Sequence, residues 1–82
     1  MIEVISLLPV TGQPRSRAIA AVRLPDGIEI HHLRVVEDAA GRFRVRLPCL
    51  RNSDGEWTPA VRLGEERFRE LSAAVIAEFW RT

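Results

Sequence analysis

The sequence predicts an α+β domain in which an antiparallel meander of about five strands is covered on one side by a C-terminal helix. Three observations carry that expectation. Between Ile2 and Leu63, short stretches of alternating apolar and polar residues are separated by turn residues. From Glu65 to Arg81 the spacing changes to three and four, placing Phe68, Leu71, Val75 and Phe79 on one stripe. The chain has 82 residues, enough for a single small domain over residues 1–82 and too few for a second.

Each element has its own signal. Ile2 to Leu8 reads as a strand, ended by Pro9 and a loop containing Gly12 and Pro14. Ala18, Ala20, Val22 and Leu24 alternate with their neighbours, which marks a second strand over Arg17–Leu24. Pro25-Asp26-Gly27 is a turn, because proline presets φ and glycine accepts a positive φ. The third strand, Ile28–Val36, changes parity midway: Ile28 and Ile30 share one face, Leu33 and Val35 the other. A β-bulge at His31-His32 turns all four inward.

Glu37–Gly41 is the next turn. Residues 42–47 then alternate three arginines (Arg42, Arg44, Arg46) with Phe43, Val45 and Leu47, so one set faces a core and the other faces out. Pro48 closes that strand. Asn52-Ser53-Asp54-Gly55 reads as a hairpin tip with Trp57 on the return arm, and Val61 and Leu63 as a short edge segment. In the helix, Ile76 and Trp80 widen the apolar stripe. Glu65 and Glu66 in its first turn and Arg81 in its last complement the helix dipole.

Composition narrows the function classes. Apolar content of 46% and charged content of 28% are those of an ordinary soluble globular domain. A core this small is marginal, so a homodimer is a natural source of further buried area. All 12 basic residues are arginine, yet the net charge is only +1, so an anion-binding face must come from local segregation of charge. The single cysteine, Cys49, excludes an intramolecular disulfide and fits a reducing compartment. Neither a signal peptide nor an apolar run near the roughly 20 residues of a membrane span is found, so a cytoplasmic protein without a membrane partner is expected.

The arginine strand is the leading candidate site. Residues two apart on a strand are about 6.6–6.8 Å apart, a spacing suited to successive phosphates, and guanidinium groups bind phosphate bidentately. Arg51 extends the row through the adjoining loop, and Arg15 and Arg17 flank a loop able to join it. The competing reading is a solvated sheet face neutralised across strands by Glu29 and Glu37. Trp57 is either a base-stacking residue or packing against the helix or a partner protomer.

Other residues carry less. His31 and His32 point to opposite faces of a strand and do not share a metal readily, so no metal or other cofactor is expected. Cys49 lacks a local activator and reads as a small, partly buried residue. Asp26, Asp38 and Asp54 each lie in or beside a glycine-containing turn, where aspartate caps its own backbone. No phosphate-binding glycine loop or nucleophile elbow is found, and neither an enzyme nor a small-molecule substrate is expected. Phe79 and Trp80, with Leu7 and Leu8, offer a hydrophobic seam between two protomers.

Arg17-Ala18-Ile19-Ala20, His31-His32-Leu33-Arg34-Val35-Val36, Leu47-Pro48-Cys49-Leu50-Arg51, Asp54-Gly55-Glu56-Trp57 and Ala74-Val75-Ile76-Ala77-Glu78-Phe79 stand in this order along the chain. Together they resemble the SpoVG family, the stage V sporulation protein G or septation regulators, from about Ile5 to Arg81. The resemblance implies a small bacterial cytoplasmic protein that dimerises through its sheet and binds DNA, in some members RNA, to regulate gene expression linked to septation or sporulation. It also implies a nucleic-acid contact at Arg51, which matches the second residue of the family's basic pair before the Asp-Gly turn. Leu50 stands where typical members carry lysine. The first strand lacks the family's arginines, and the strand before Leu47-Pro48 has gained them at Arg42, Arg44 and Arg46. The expected function is therefore nucleic-acid binding through Arg42, Arg44, Arg46 and Arg51, with Arg15 and Arg17. The alternative is a protein–protein interaction module whose arginines pair with acidic groups.

Overall fold

The computed structural model describes residues 1–82. Four strands, β1 (Glu3–Pro9), β2 (Ser16–Arg23), β3 (Glu29–Glu37) and β4 (Phe43–Arg46), form an antiparallel sheet in chain order. Helix α1 (Glu65–Arg81) lies across one face of it. Two short strands, β5 (Cys49–Arg51) and β6 (Trp57–Pro59), pair only with each other. The expected five-strand meander is thus a four-strand sheet plus a separate hairpin. Val61 and Leu63 are not in a strand; they pack on the core from an irregular connection into α1. Pro48 has no backbone N–H to continue the β4 ladder, and its carbonyl instead accepts a bond from Ala60 N at the base of the hairpin.

Facing side chains follow the two-residue period once the bulge is counted. Ala20 pairs with Leu33 and Val22 with Ile30, so His31 and His32 together oppose Ala21. His32 takes φ 64°, a left-handed conformation that histidine tolerates better than most residues. The extra residue puts Ile30, Leu33 and Val35 on one buried face. Ile28 does not join them. It precedes β3, is 56% exposed, and contributes its carbonyl to Leu24 N in the turn.

The core lies between sheet and helix. Ala18, Ala20 and Val22 of β2, Leu33 and Val35 of β3, and Val45 of β4 meet Leu71 and Val75 of α1. At the C-terminal end, Phe43 packs on Phe79 (centroids 5.0 Å) and edge-on against Trp80 (5.1 Å). The proposed seam of Leu7, Leu8, Phe79 and Trp80 is not a single surface. Leu7 and Phe79 pack on the core, whereas Leu8 pairs with Ile19 on the opposite sheet face, 65% exposed.

Two loops are closed by the same device. Asp38 Oδ1 accepts hydrogen bonds from Ala40 N and Arg42 N, both 2.9 Å, and Asn52 Oδ1 accepts from Asp54 N and Glu56 N, also 2.9 Å. Gly41 and Gly55 then take φ near +80°, which a side chain disfavours. In the hairpin it is therefore Asn52, not Asp54, that caps the tip.

Two substitutions test the packing. Leu71→Ala, at a fully buried position, is expected to lose about 2–5 kcal/mol, most of the stability of so small a domain, in urea unfolding. Ser72 Oγ is buried without a hydrogen-bond partner, so Ser72→Ala is expected to raise Tm by a few degrees.

Candidate nucleic-acid interface

Strand β4 presents its arginines outward as the alternation requires. Val45 is 6% exposed and Phe43 half-buried, while Arg42, Arg44 and Arg46 are exposed. Arg42 precedes the strand proper. The register adds a residue that sequence reading omitted: Arg34 on β3 lies directly opposite Arg46. Like charges opposite one another on an antiparallel pair are unfavourable. Neither guanidinium makes an ion pair; Arg34 Nη1 donates to Ser16 Oγ at 3.1 Å, with no carboxylate in reach. Counting back from the Asp38–Gly41 turn in equal steps pairs Arg34 with Arg46, so the turn was the signal that placed it.

The outward face is graded from side to side. One cross-sheet row runs Leu8, Ile19, Arg34, Arg46, apolar at the β1–β2 side and cationic at β3–β4. Arg44 lies one row away, opposite Val36.

The carboxylates are distributed differently from the expected cross-strand neutralisation. Glu29 bonds Arg23 at 2.9 Å and His31 at 3.0 Å, and Arg23 also reaches Glu3 at 3.0 Å. Glu37 holds Arg17 at 3.1 Å. Neither faces the arginine row. Asp38 does: its Oδ2 is 3.5 Å from Nε of both Arg42 and Arg44, one carboxylate shared between two guanidiniums.

The expected site residues are consequently not all brought together. Arg44 and Arg46 join Arg34 on the sheet, with Arg42 at the margin. Arg17 is tied to Glu37, and Arg15 is exposed in the β1–β2 loop without an ion pair. Arg51 stands on the hairpin, its Nε donating to Gly55 O at 3.0 Å and its guanidinium 5.5 Å from the Trp57 ring centre. Trp57 is exposed and so is not buried against the helix or the sheet, and Cys49 is exposed instead of partly buried. Between β4, the hairpin base and the start of α1 runs an open groove of about 530 Å³.

Protonation follows from these contacts. The Asp38 carboxyl is held below its ordinary value, first by the backbone N–H of Arg42, then by that of Ala40 and the charges of Arg42 and Arg44. Glu29 is likewise lowered, chiefly by its hydrogen bonds from His31 and Arg23. No three His, Cys, Asp or Glu side chains are grouped as a metal would need, and no helix is long and apolar enough to cross a membrane.

Fold and site together define a small α+β domain with a cationic patch at one side of an open sheet face. Among known proteins, the chain is similar to a protein of Macrococcus caseolyticus named "Putative septation protein SpoVG", with 33% identity over 69 residues. That match covers 83% of this chain and 59% of the relative, so the chain spans about three fifths of the relative's length. It agrees with the SpoVG resemblance carried by the sequence motifs. No family model matches the chain.

The lowered Asp38 carboxyl gives a pH prediction. A depressed value means the loop bonds are fully present above the ordinary aspartate range and are lost as pH falls through the lower value. The Ala40 and Arg42 amide resonances are expected to titrate together, with a midpoint below the ordinary aspartate value. In Asp38→Asn that transition is absent.

Proposed function

We propose that this chain is a SpoVG-like regulatory protein that binds nucleic acid, DNA or RNA, through Arg34, Arg44 and Arg46, with Arg42 at the margin and Arg51 on the adjoining hairpin. The reading is non-enzymatic and belongs to control of gene expression, with septation as the process the relative's name brings and sporulation as the process the family resemblance adds. The observation that carries it is the Arg34–Arg46 pair, two like charges set opposite each other on a solvent face with no carboxylate between them. A bound phosphate relieves that repulsion by accepting from both guanidiniums. Homodimerisation through the sheet belongs to the same proposal, and exposed Leu8 beside half-buried Ile19 on the outer face supports it.

Asp38 favours the second reading, a protein–protein interaction module. It shows that part of the arginine row already has an acidic partner within the chain. One carboxylate against two guanidiniums leaves that end of the row cationic, so Asp38 trims the patch without neutralising it.

The test is a fluorescence titration of a 20-base oligonucleotide across a salt series. Each phosphate contact contributes a slope of about −0.7 to −0.9 in log affinity against log salt. The double variant Arg34→Ala/Arg46→Ala is expected to reduce the slope by about two contacts and weaken binding at least about tenfold at low salt. Arg81→Ala, at the end of α1, is expected to change neither. Asp38→Asn is expected to tighten binding several-fold at low salt, because the competing charge is gone while the loop-capping oxygen remains.

A further inference from the structure

We propose that the nucleic acid is single-stranded and that its bases stack along one face of the β5–β6 hairpin, on Trp57 and in the groove at the hairpin's base. This rests on the nucleic-acid reading above and adds the strandedness of the ligand and the residue that senses it.

The hairpin backbone pairs with no other strand and stands clear of α1, and every residue from Cys49 to Pro59 is exposed. A lone two-stranded hairpin is marginal in water, and this one carries a tryptophan that is 67% exposed. The register explains where that ring lies. Cys49 pairs with Pro59 and Arg51 with Trp57. Side chains two apart on a strand share a face, so both pairs are on the same side of the hairpin, about 6.6–6.8 Å apart.

Cys49 and Pro59 line the groove, whose apolar part includes Val61, Leu63 and Phe68. The groove therefore continues outward as the Arg51–Trp57 face. Arg46 and Arg62 also border it, and neither makes an ion pair, whereas Glu65 at the start of α1 supplies one carboxylate. Asp54 and Glu56 at the hairpin tip bound the basic track at its other end, which limits it to a few nucleotides.

The chemistry of this surface selects unpaired bases. A duplex presents phosphates and groove edges but keeps its base faces stacked inside, so an indole and an apolar groove gain nothing from it. A single strand offers a base face to an aromatic ring while its phosphates reach guanidiniums. Arg51, held by its bond to Gly55 O, sets its guanidinium 5.5 Å from the indole centre, and the ring remains 67% exposed to meet a base. Arg46 belongs to both the groove and the sheet patch, so a single strand in the groove runs on toward Arg34.

The experiment compares a fluorescein-labelled 15-base single strand with the duplex of the same sequence, using the full chain, Trp57→Leu and Trp80→Phe. Expected results are single-strand binding at least about tenfold tighter than duplex, and a loss of fivefold or more in Trp57→Leu for the single strand only. Trp57→Leu keeps the wild-type salt slope, and in Trp80→Phe the remaining tryptophan fluorescence is quenched on binding. Equal or tighter duplex binding, or an unaffected Trp57→Leu, overturns the inference and leaves nucleic-acid binding standing. Failure of both ligands to bind at low salt overturns both readings. If only an acidic polypeptide such as polyglutamate binds, the surface belongs to a protein partner and the inference falls.

Discussion

The bulge at His31–His32 is the constraint on which the remaining structure depends. A strand has two faces, and a one-residue change of register exchanges them. With the extra residue accommodated opposite Ala21, Leu33 and Val35 enter the core while Arg34 faces solvent. Without it, the same pairing would bury Arg34 and expose the two aliphatic side chains. The cost is a left-handed histidine, modest beside the burial of an unpaired guanidinium. The outward direction of β3 then fixes that of β4 through the Asp38–Gly41 turn, and with it the Arg34–Arg46 pair.

Below the sheet the packing is economical. Ala18 and Ala20 keep the centre of β2 low, so α1 brings Leu71 and Val75 directly onto the strands. The aromatic residues lie at the C-terminal end of the helix, where Phe43 and Phe79 close the core and Trp80 lies mostly outside it. The helix thus covers one face of the sheet and leaves the other open. That open face is not uniform: it grades from apolar at Leu8 and Ile19 to cationic at Arg34 and Arg46.

Asp38 links fold and site. Its Oδ1 closes the β3–β4 loop and its Oδ2 attracts Arg42 and Arg44, so one carboxyl both shapes the turn and moderates the patch. The hairpin stands apart from this arrangement. Its tip is held by Asn52 and its face by the Arg51–Trp57 stack, and it has no core of its own.

The sequence by itself determined the periodic features: the parity change in β3, the inward set Val45 and Phe43, the extent of α1, and the turns at Gly41 and Gly55. These are local, because strand and helix periods and left-handed turn positions are written in neighbouring residues. Tertiary structure alone decided the rest. It detached the hairpin at Pro48, left Ile28 and Leu8 outside the core, gave Glu37 to Arg17, and shared Asp38 between two arginines, whereas the Arg34–Arg46 pairing already follows from the turn. These outcomes depend on which distant elements meet, or fail to meet, and on a choice among several oppositely charged partners, which local spacing cannot make.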